Sequence, residues 1–204
     1  MSRILTTKES LLNYAAWYAM RYLPSLRKLH EALMKKSLGN EALVVSVMKE
    51  MSEYISEERT VDGLVRMYTE QSKTRPYIER KLRLKKFGED IITVTLESYR
   101  DSFISWYAYE QVITRKMNDY LKKNKSKKYI IGTLTQGYPN FKNEIYILLN
   151  DVAPDETEAV QEEFAKLSQK YDVTHQKERQ KVIQKLYLKG FPYDLIRKTM
   201  NNVD

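Results

Sequence analysis

Apolar residues recur along this chain at spacings of three and four, as in Leu26, Leu29 and Leu33 or Ile78 and Leu82, the period of a helix with one buried face. The windows between a few prolines and glycines, 5 and 6 in 204 residues, are filled mainly by Leu, Ile, Met, Lys and Glu, which are good helix formers. Strand-like alternation is nearly missing. Only Tyr129-Ile130-Ile131-Gly132-Thr133-Leu134 competes as a strand, and its basic lead-in and its match to helical segments elsewhere predict a helix. The expected fold class is all-α.

The helical pattern repeats with a period of about fifty residues. Four segments close on a large apolar residue after a basic or polar pair, at Leu38, Phe87, Tyr138 and Phe191. A tyrosine keeps step about twenty residues earlier, at Tyr18, Tyr68, Tyr120 and Tyr171, and an apolar position follows about ten later, at Val47, Leu96, Leu148 and Met200. Each unit therefore reads as three helices: one with the tyrosine, one that stops before the closing residue, and a third that begins shortly after it. Gly137 and Gly190 precede their closing residues, where a left-handed stop is expected; Ser37 and Lys86 take that place in the first two units, with Gly39 and Gly88 just beyond. Third helices are expected to begin near Asn40-Glu41, Glu89-Asp90, Asn140 and Pro192-Tyr193-Asp194, where early acids suit a helix start. The predicted architecture is tandem three-helix repeats over 8–55, 56–102, 103–152 and 153–204, stacked into an elongated, curved rod. Pro154 marks the last boundary most sharply.

Charge narrows the function classes. Lys and Arg total 35 against 27 acids, a formal net charge of +8, which favours an anionic partner. There is no cysteine and only His30 and His175, so disulfides, thiolate sites and histidine cages are not expected, nor is any cofactor or metal. No run approaches the roughly 18 apolar residues of a membrane span, and no leader peptide is read at the N-terminus; the expected setting is the cytoplasm. Glu57-Glu58 and Glu162-Glu163 are adjacent pairs that do not face each other on a helix. No Walker loop, nucleophile elbow or His-Glu-x-x-His is present, so the chain reads as a binding protein rather than an enzyme.

Basic residues cluster over Arg75–Lys86, Arg115–Lys128 and Lys177–Lys198, with an acidic stretch over Asp151–Glu163. Any one cluster reads equally well as a solvated helix face. Three of them, mostly on or beside the second helix of successive units, suit a stripe that meets phosphates or an acidic protein groove. Arg80, Lys81, Arg83, Lys122, Lys123, Lys127, Lys128, Lys185 and Lys189 are the candidate contacts, chosen from charge and repeat position. Trp17, Tyr18, Phe103, Trp106, Tyr107 and Tyr109 have the chemistry to stack on bases, but helical spacing favours packing for such a set.

The stretch Lys185-Leu186-Tyr187-Leu188-Lys189-Gly190-Phe191-Pro192-Tyr193-Asp194-Leu195-Ile196-Arg197 resembles the C-terminal repeat of RecX proteins, with its Arg/Lys-Gly-Phe followed by an apolar pair and a basic residue. Leu12-Asn13-Tyr14-Ala15 through Lys28-Leu29 is similar to the family's entry and second helices, and Tyr54-Ile55-Ser56-Glu57-Glu58-Arg59 to its Gly-Tyr-Leu-Asp-Asp-x-Arg link. The link departs from the pattern at Ser56-Glu57-Glu58 and Thr60-Val61, Leu38 lacks the aromatic, and the third unit is only weakly similar. The resemblance, spanning about residues 8 to 203, implies a regulator of the RecA recombinase; a monomer is expected. Such proteins lie in the groove of the RecA–DNA filament and suppress its ATPase, strand-exchange and co-protease activities in DNA repair and the SOS response. Partners so implied are the RecA filament and, weakly and non-specifically, single- or double-stranded DNA. A stand-alone helical-repeat nucleic-acid binder and a repeat scaffold for other proteins are the alternatives.

Overall fold

The computed structural model describes residues 4–153 and 155–201, and among them every regular element is helical. The chain divides into two compact units, Met1–Ser105 and Trp106–Asp204. The first unit contains α1 (Lys8–Tyr22), α2 (Leu26–Lys36), α3 (Glu41–Ser52), α4 (Glu57–Glu70), α5 (Arg75–Leu84), α6 (Glu89–Ser98) and the short α7 (Arg100–Ile104). The second contains α8 (Trp106–Leu121), α9 (Lys127–Gly137), a 3-10 turn (Pro139–Phe141), α10 (Lys142–Val152), α11 (Thr157–Ser168), α12 (Gln176–Leu188) and α13 (Tyr193–Asn201). The segment with strand-like composition lies inside α9.

Buried side chains gather in four clusters, each fed by one helical triplet. Leu11, Leu29, Leu33, Val44 and Val47 fill the first, and Val61, Ile78, Leu82, Phe87, Ile92 and Leu96 the second. Tyr109, Ile113, Ile130, Leu134, Tyr138, Phe141 and Leu149 fill the third; Val160, Val182, Leu186, Phe191, Ile196 and Met200 the fourth. This is the all-α helical-repeat class expected. Tyr18, Tyr68, Tyr120 and Tyr171 each pack, half-buried, against the core of their own triplet. Phe103, placed in the third repeat by the expected division, packs with the second cluster.

Local chemistry explains the starts of the helices. Thr7, Ser25, Asn40, Ser56 and Ser126 are N-caps whose side chains accept from the backbone N–H groups of Ser10, Lys28, Leu43, Arg59 and Tyr129, each satisfying a donor that the helix cannot.

The stops repeat as well. First helices turn through a left-handed residue at Leu23, Ser72 and Asn124, and second helices at Leu38, Lys86 and Gly190. After the second helices the same bond closes the turn: the N–H groups of Gly39, Phe87 and Phe191 donate to the carbonyls of Met34, Leu82 and Leu186 at 2.9, 3.4 and 3.3 Å, the six-to-one bond of a Schellman stop. This geometry corrects two expectations. Leu38 is the left-handed residue and is 73% exposed, so Gly39 occupies the place that Phe87 and Phe191 fill with a buried ring. Gly137 is the last residue of α9, and no left-handed stop forms there. In that triplet Pro139 opens a 3-10 turn, and Tyr138 and Phe141 are both buried. One register slip also appears, because Leu149 rather than Leu148 takes the fully buried place of Val47 and Leu96.

Candidate partner interface

The same joint is built once inside each unit. In the first, the start of α2 abuts the end of α5. Leu26 N–H donates to Glu57 Oε1 of α4 at 2.6 Å, Ser25 N–H to the Lys85 carbonyl at 3.3 Å, and Lys28 Nζ to the Leu84 carbonyl at 2.8 Å. In the second, the start of α9 abuts the end of α12. Lys127 N–H donates to Glu156 Oε1, just before α11, at 2.6 Å, and Ser126 Oγ donates to the Lys189 carbonyl at 2.6 Å. A carboxylate from the following triplet thus meets the positive end of the preceding triplet's second helix, where a negative group is favoured. The joint is tight: a Cβ added at Gly190 would lie 2.7 Å from Ser126 Oγ and 3.3 Å from Lys128 Cβ.

Several cations serve these joints. Lys85 Nζ donates to the Tyr22 carbonyl, and burial, then the nearby charges of Lys28 and Lys81, hold its pKa below the usual lysine range. Lys86 Nζ pairs with Glu31 at 2.6 Å. Lys189 binds Glu163, which also accepts from Lys166 Nζ at 2.8 Å. Burial pushes the Glu163 pKa up, but hydrogen bonds from Lys166 and Lys189 and their charges bring it below the ordinary glutamate value.

The candidate contacts separate on this map. Arg83 is gripped by Glu89, at 2.9 and 3.1 Å from its Nε, and by Glu79 at 2.7 Å. Lys189 is held by Glu163. These two have carboxylate partners within the fold. Arg80 and Lys81 lie over the Tyr77 ring at 5.8 and 5.5 Å, and Lys185 over Tyr171 at 5.5 Å, within reach of the ring quadrupole. Lys127 Nζ reaches Asn150 Oδ1 at 3.3 Å. Lys122, Lys123 and Lys128 are at least partly exposed. Lys122 and Lys123 ride the turn between α8 and α9, which left-handed Asn124 shapes and its bond to Glu162 pins. The second unit therefore brings Lys127, Lys128 and Lys189 to one joint, with Lys122 and Lys123 in the turn just before α9. The candidate contacts omit Arg27, Lys28, Lys85 and Lys86, cations at or beside the first unit's joint; the repeat register of the closing residues sets Arg27, Lys28 and Lys85 on Lys127, Lys128 and Lys189 and so points to three of them.

A pair of rings repeats too. Tyr68 and Tyr77 meet edge-on at 5.9 Å, and Tyr120 and Tyr129 at 5.7 Å. Cations flank both pairs, with Lys73 5.7 Å from Tyr77 and Lys125 5.4 Å from Tyr129. His175 stands at the N-cap position of α12 without a side-chain bond to the helix, and its Nδ1 lies 2.9 Å from Asp172 Oδ2. Among the described residues no helix is long and apolar enough to cross a membrane, and no group of His, Cys, Asp or Glu is gathered for a metal ion.

Residues 155–200, which comprise α11, α12 and α13, match the family model of the third three-helix domain of RecX. The likeness is thus to one three-helix domain of that family, at the C-terminal end of the second unit. The matched region contains Glu163, the Lys189-Gly190-Phe191 stop and the α12 side of the second joint. No curated protein and no solved structure matches the chain.

Proposed function

We propose that this chain binds the groove of the RecA–DNA filament and suppresses its ATPase, strand-exchange and co-protease activities, as a cytoplasmic monomer acting in DNA repair and the SOS response. The observation that carries the reading is the RecX match over 155–200. The four repeats would be 8–55, 56–102, 103–152 and 153–204. Lys122, Lys123 and Lys128 are the principal contacts because they reach solvent and no ion pair with a carboxylate engages them among the described residues. Arg80, Lys81, Lys127 and Lys185 support them. Arg83 and Lys189 contribute less, since Glu79, Glu89 and Glu163 already answer their charge. Long-range attraction to phosphate or to acidic groups of the filament then sets affinity, and it weakens steeply with salt.

The test is the ATPase of RecA on single-stranded DNA. The wild-type chain is expected to inhibit at substoichiometric to equimolar amounts. Reversing Lys122, Lys123 and Lys128 to Glu is expected to weaken inhibition by at least about tenfold and to flatten its salt dependence, by about 0.7–0.9 in log–log slope for each phosphate no longer neutralised. Full inhibition by that variant at physiological salt refutes the assignment of the surface. Tight DNA binding with no effect on RecA refutes the filament reading itself and leaves a stand-alone nucleic-acid binder.

A further inference from the structure

The aromatic set of the sequence divides in the structure. Phe103 and Tyr109 are core residues, and Trp106 packs against Phe141 at 5.7 Å. Trp17 behaves differently. It lies on α1 in a stripe with Tyr14, Tyr18 and Tyr22, whose rings pack at 5.7 Å (Tyr14–Trp17), 5.8 Å (Tyr14–Tyr18), 5.7 Å (Trp17–Tyr22) and 4.8 Å (Tyr18–Tyr22). Tyr14 and Tyr18 lean on the first core, while Trp17 and Tyr22 remain 48% and 45% exposed. Such exposure is costly unless the rings have a use, because contiguous exposed apolar surface marks an interaction site. The rings are also held in place, so little side-chain freedom is left to lose on binding.

Cations surround this platform. Arg21 lies 5.9 Å from the Trp17 and Tyr22 ring centres, and Lys36 5.1 Å from Tyr14. Between α1 and α2 runs a groove walled by Tyr14 and Tyr18 on one side and by Lys28, Lys35 and Lys36 on the other. The acid that lines it, Glu31, is already paired with Lys86 at 2.6 Å. Lys28 and Lys35 stand about 11 Å apart along the helix, so the groove can meet more than one anionic group at once.

We infer that this face of the first unit is a binding site for single-stranded nucleic acid, with unpaired bases stacked on Trp17 and Tyr22 and phosphates against Arg21, Lys28, Lys35 and Lys36. A nucleotide chain alternates a flat ring with a negative charge, and that is the alternation the face presents. An acidic peptide would answer the cations and leave the rings uncovered. A duplex would hide its base faces, so single strands are preferred. The site is separate from the lysines assigned to the filament, and it operates without RecA.

The experiment follows tryptophan fluorescence in the isolated full-length chain while a short oligothymidylate, the matching oligouridylate, a duplex of equal length or polyglutamate is added. Single strands are expected to quench the emission and the duplex to quench it far less; the two oligomers report whether DNA or RNA is favoured. For the variants, binding is followed by the fluorescence anisotropy of an end-labelled oligothymidylate, and Trp17→Ala and Tyr22→Ala are each expected to weaken it about tenfold, the loss of one stacked base. Trp17→Leu, which keeps apolar bulk without a π-face, is expected to behave like Trp17→Ala, with helicity unchanged by circular dichroism. Glu110→Gln, on an exposed face of α8, is expected to retain the quench. The inference is overturned if the Ala variants bind as tightly as wild type, if Trp17→Leu restores binding, or if polyglutamate quenches and competes as well as the oligomers.

Discussion

Removing the Glu156 carboxylate tests the joint of the second unit directly. Glu156 Oε1 accepts from the Lys127 N–H at 2.6 Å, at the first residue of α9. That N–H has no partner within its own helix, and the helix start also carries the Lys127 and Lys128 charges at its positive end, an arrangement that opposes the dipole. A hydrogen bond to an ionised acceptor is worth about 1.5–3 kcal/mol. The contact is only part-buried, so water recovers some of the loss, and Glu156→Ala is expected to cost about 2 kcal/mol. Glu156→Gln keeps the acceptor and drops the charge, for about 1 kcal/mol. For a unit of this size each kcal/mol lowers Tm by about 4–8 °C, so Glu156→Ala should melt roughly 10 °C lower in scanning calorimetry. Glu110→Gln, on an exposed face of α8, serves as the control and should stay within about 0.5 kcal/mol of wild type. The reasoning fails if Ala and Gln at 156 both match that control, or if Gln costs as much as Ala.

The turn glycines give a contrast in sign. Gly190→Ala, at φ +94° and with Ser126 Oγ 2.7 Å from the added Cβ, should lose about 2–3 kcal/mol in urea unfolding. Gly132→Ala, inside α9 with open space around it, should gain up to about 1 kcal/mol. Leu38→Gly removes a left-handed, 73% exposed leucine and is expected to raise stability by about 0.5–1 kcal/mol; a lower melting temperature would mean that Leu38 packs on something. For Glu163 the folded pKa is below its ordinary value of 4.5, so its contribution is complete above that pH and disappears as pH falls through the folded pKa. Wild type should therefore lose Tm below about pH 4.5 more steeply than Glu163→Gln, and parallel curves for the two would refute the Lys166–Glu163–Lys189 cluster.

The sequence alone determined the elements whose causes are local. A period of three and four, with Ser25, Asn40, Ser56 and Ser126 ahead of apolar runs, specifies helices and their first turns, because each cap acts over three residues. The in-step tyrosines specified a repeat, and Tyr18, Tyr68, Tyr120 and Tyr171 do occupy like places against four like cores. Tertiary structure decided what depends on residues distant in the chain. Glu57 reads like any acid at a helix start, and only the fold sets it against the Leu26 N–H. Arg83 and Lys189 are charges like their neighbours in sequence, yet Glu79, Glu89 and Glu163 claim them while Lys122 and Lys123 reach solvent. A left-handed stop forms at Leu38 and Lys86 without a glycine and does not form at Gly137, where Pro139 opens a 3-10 turn instead, so the path to the third helix, rather than the glycine alone, decides each stop. Trp17 has the same composition cue as Trp106, and packing alone set one against Phe141 and left the other at the surface.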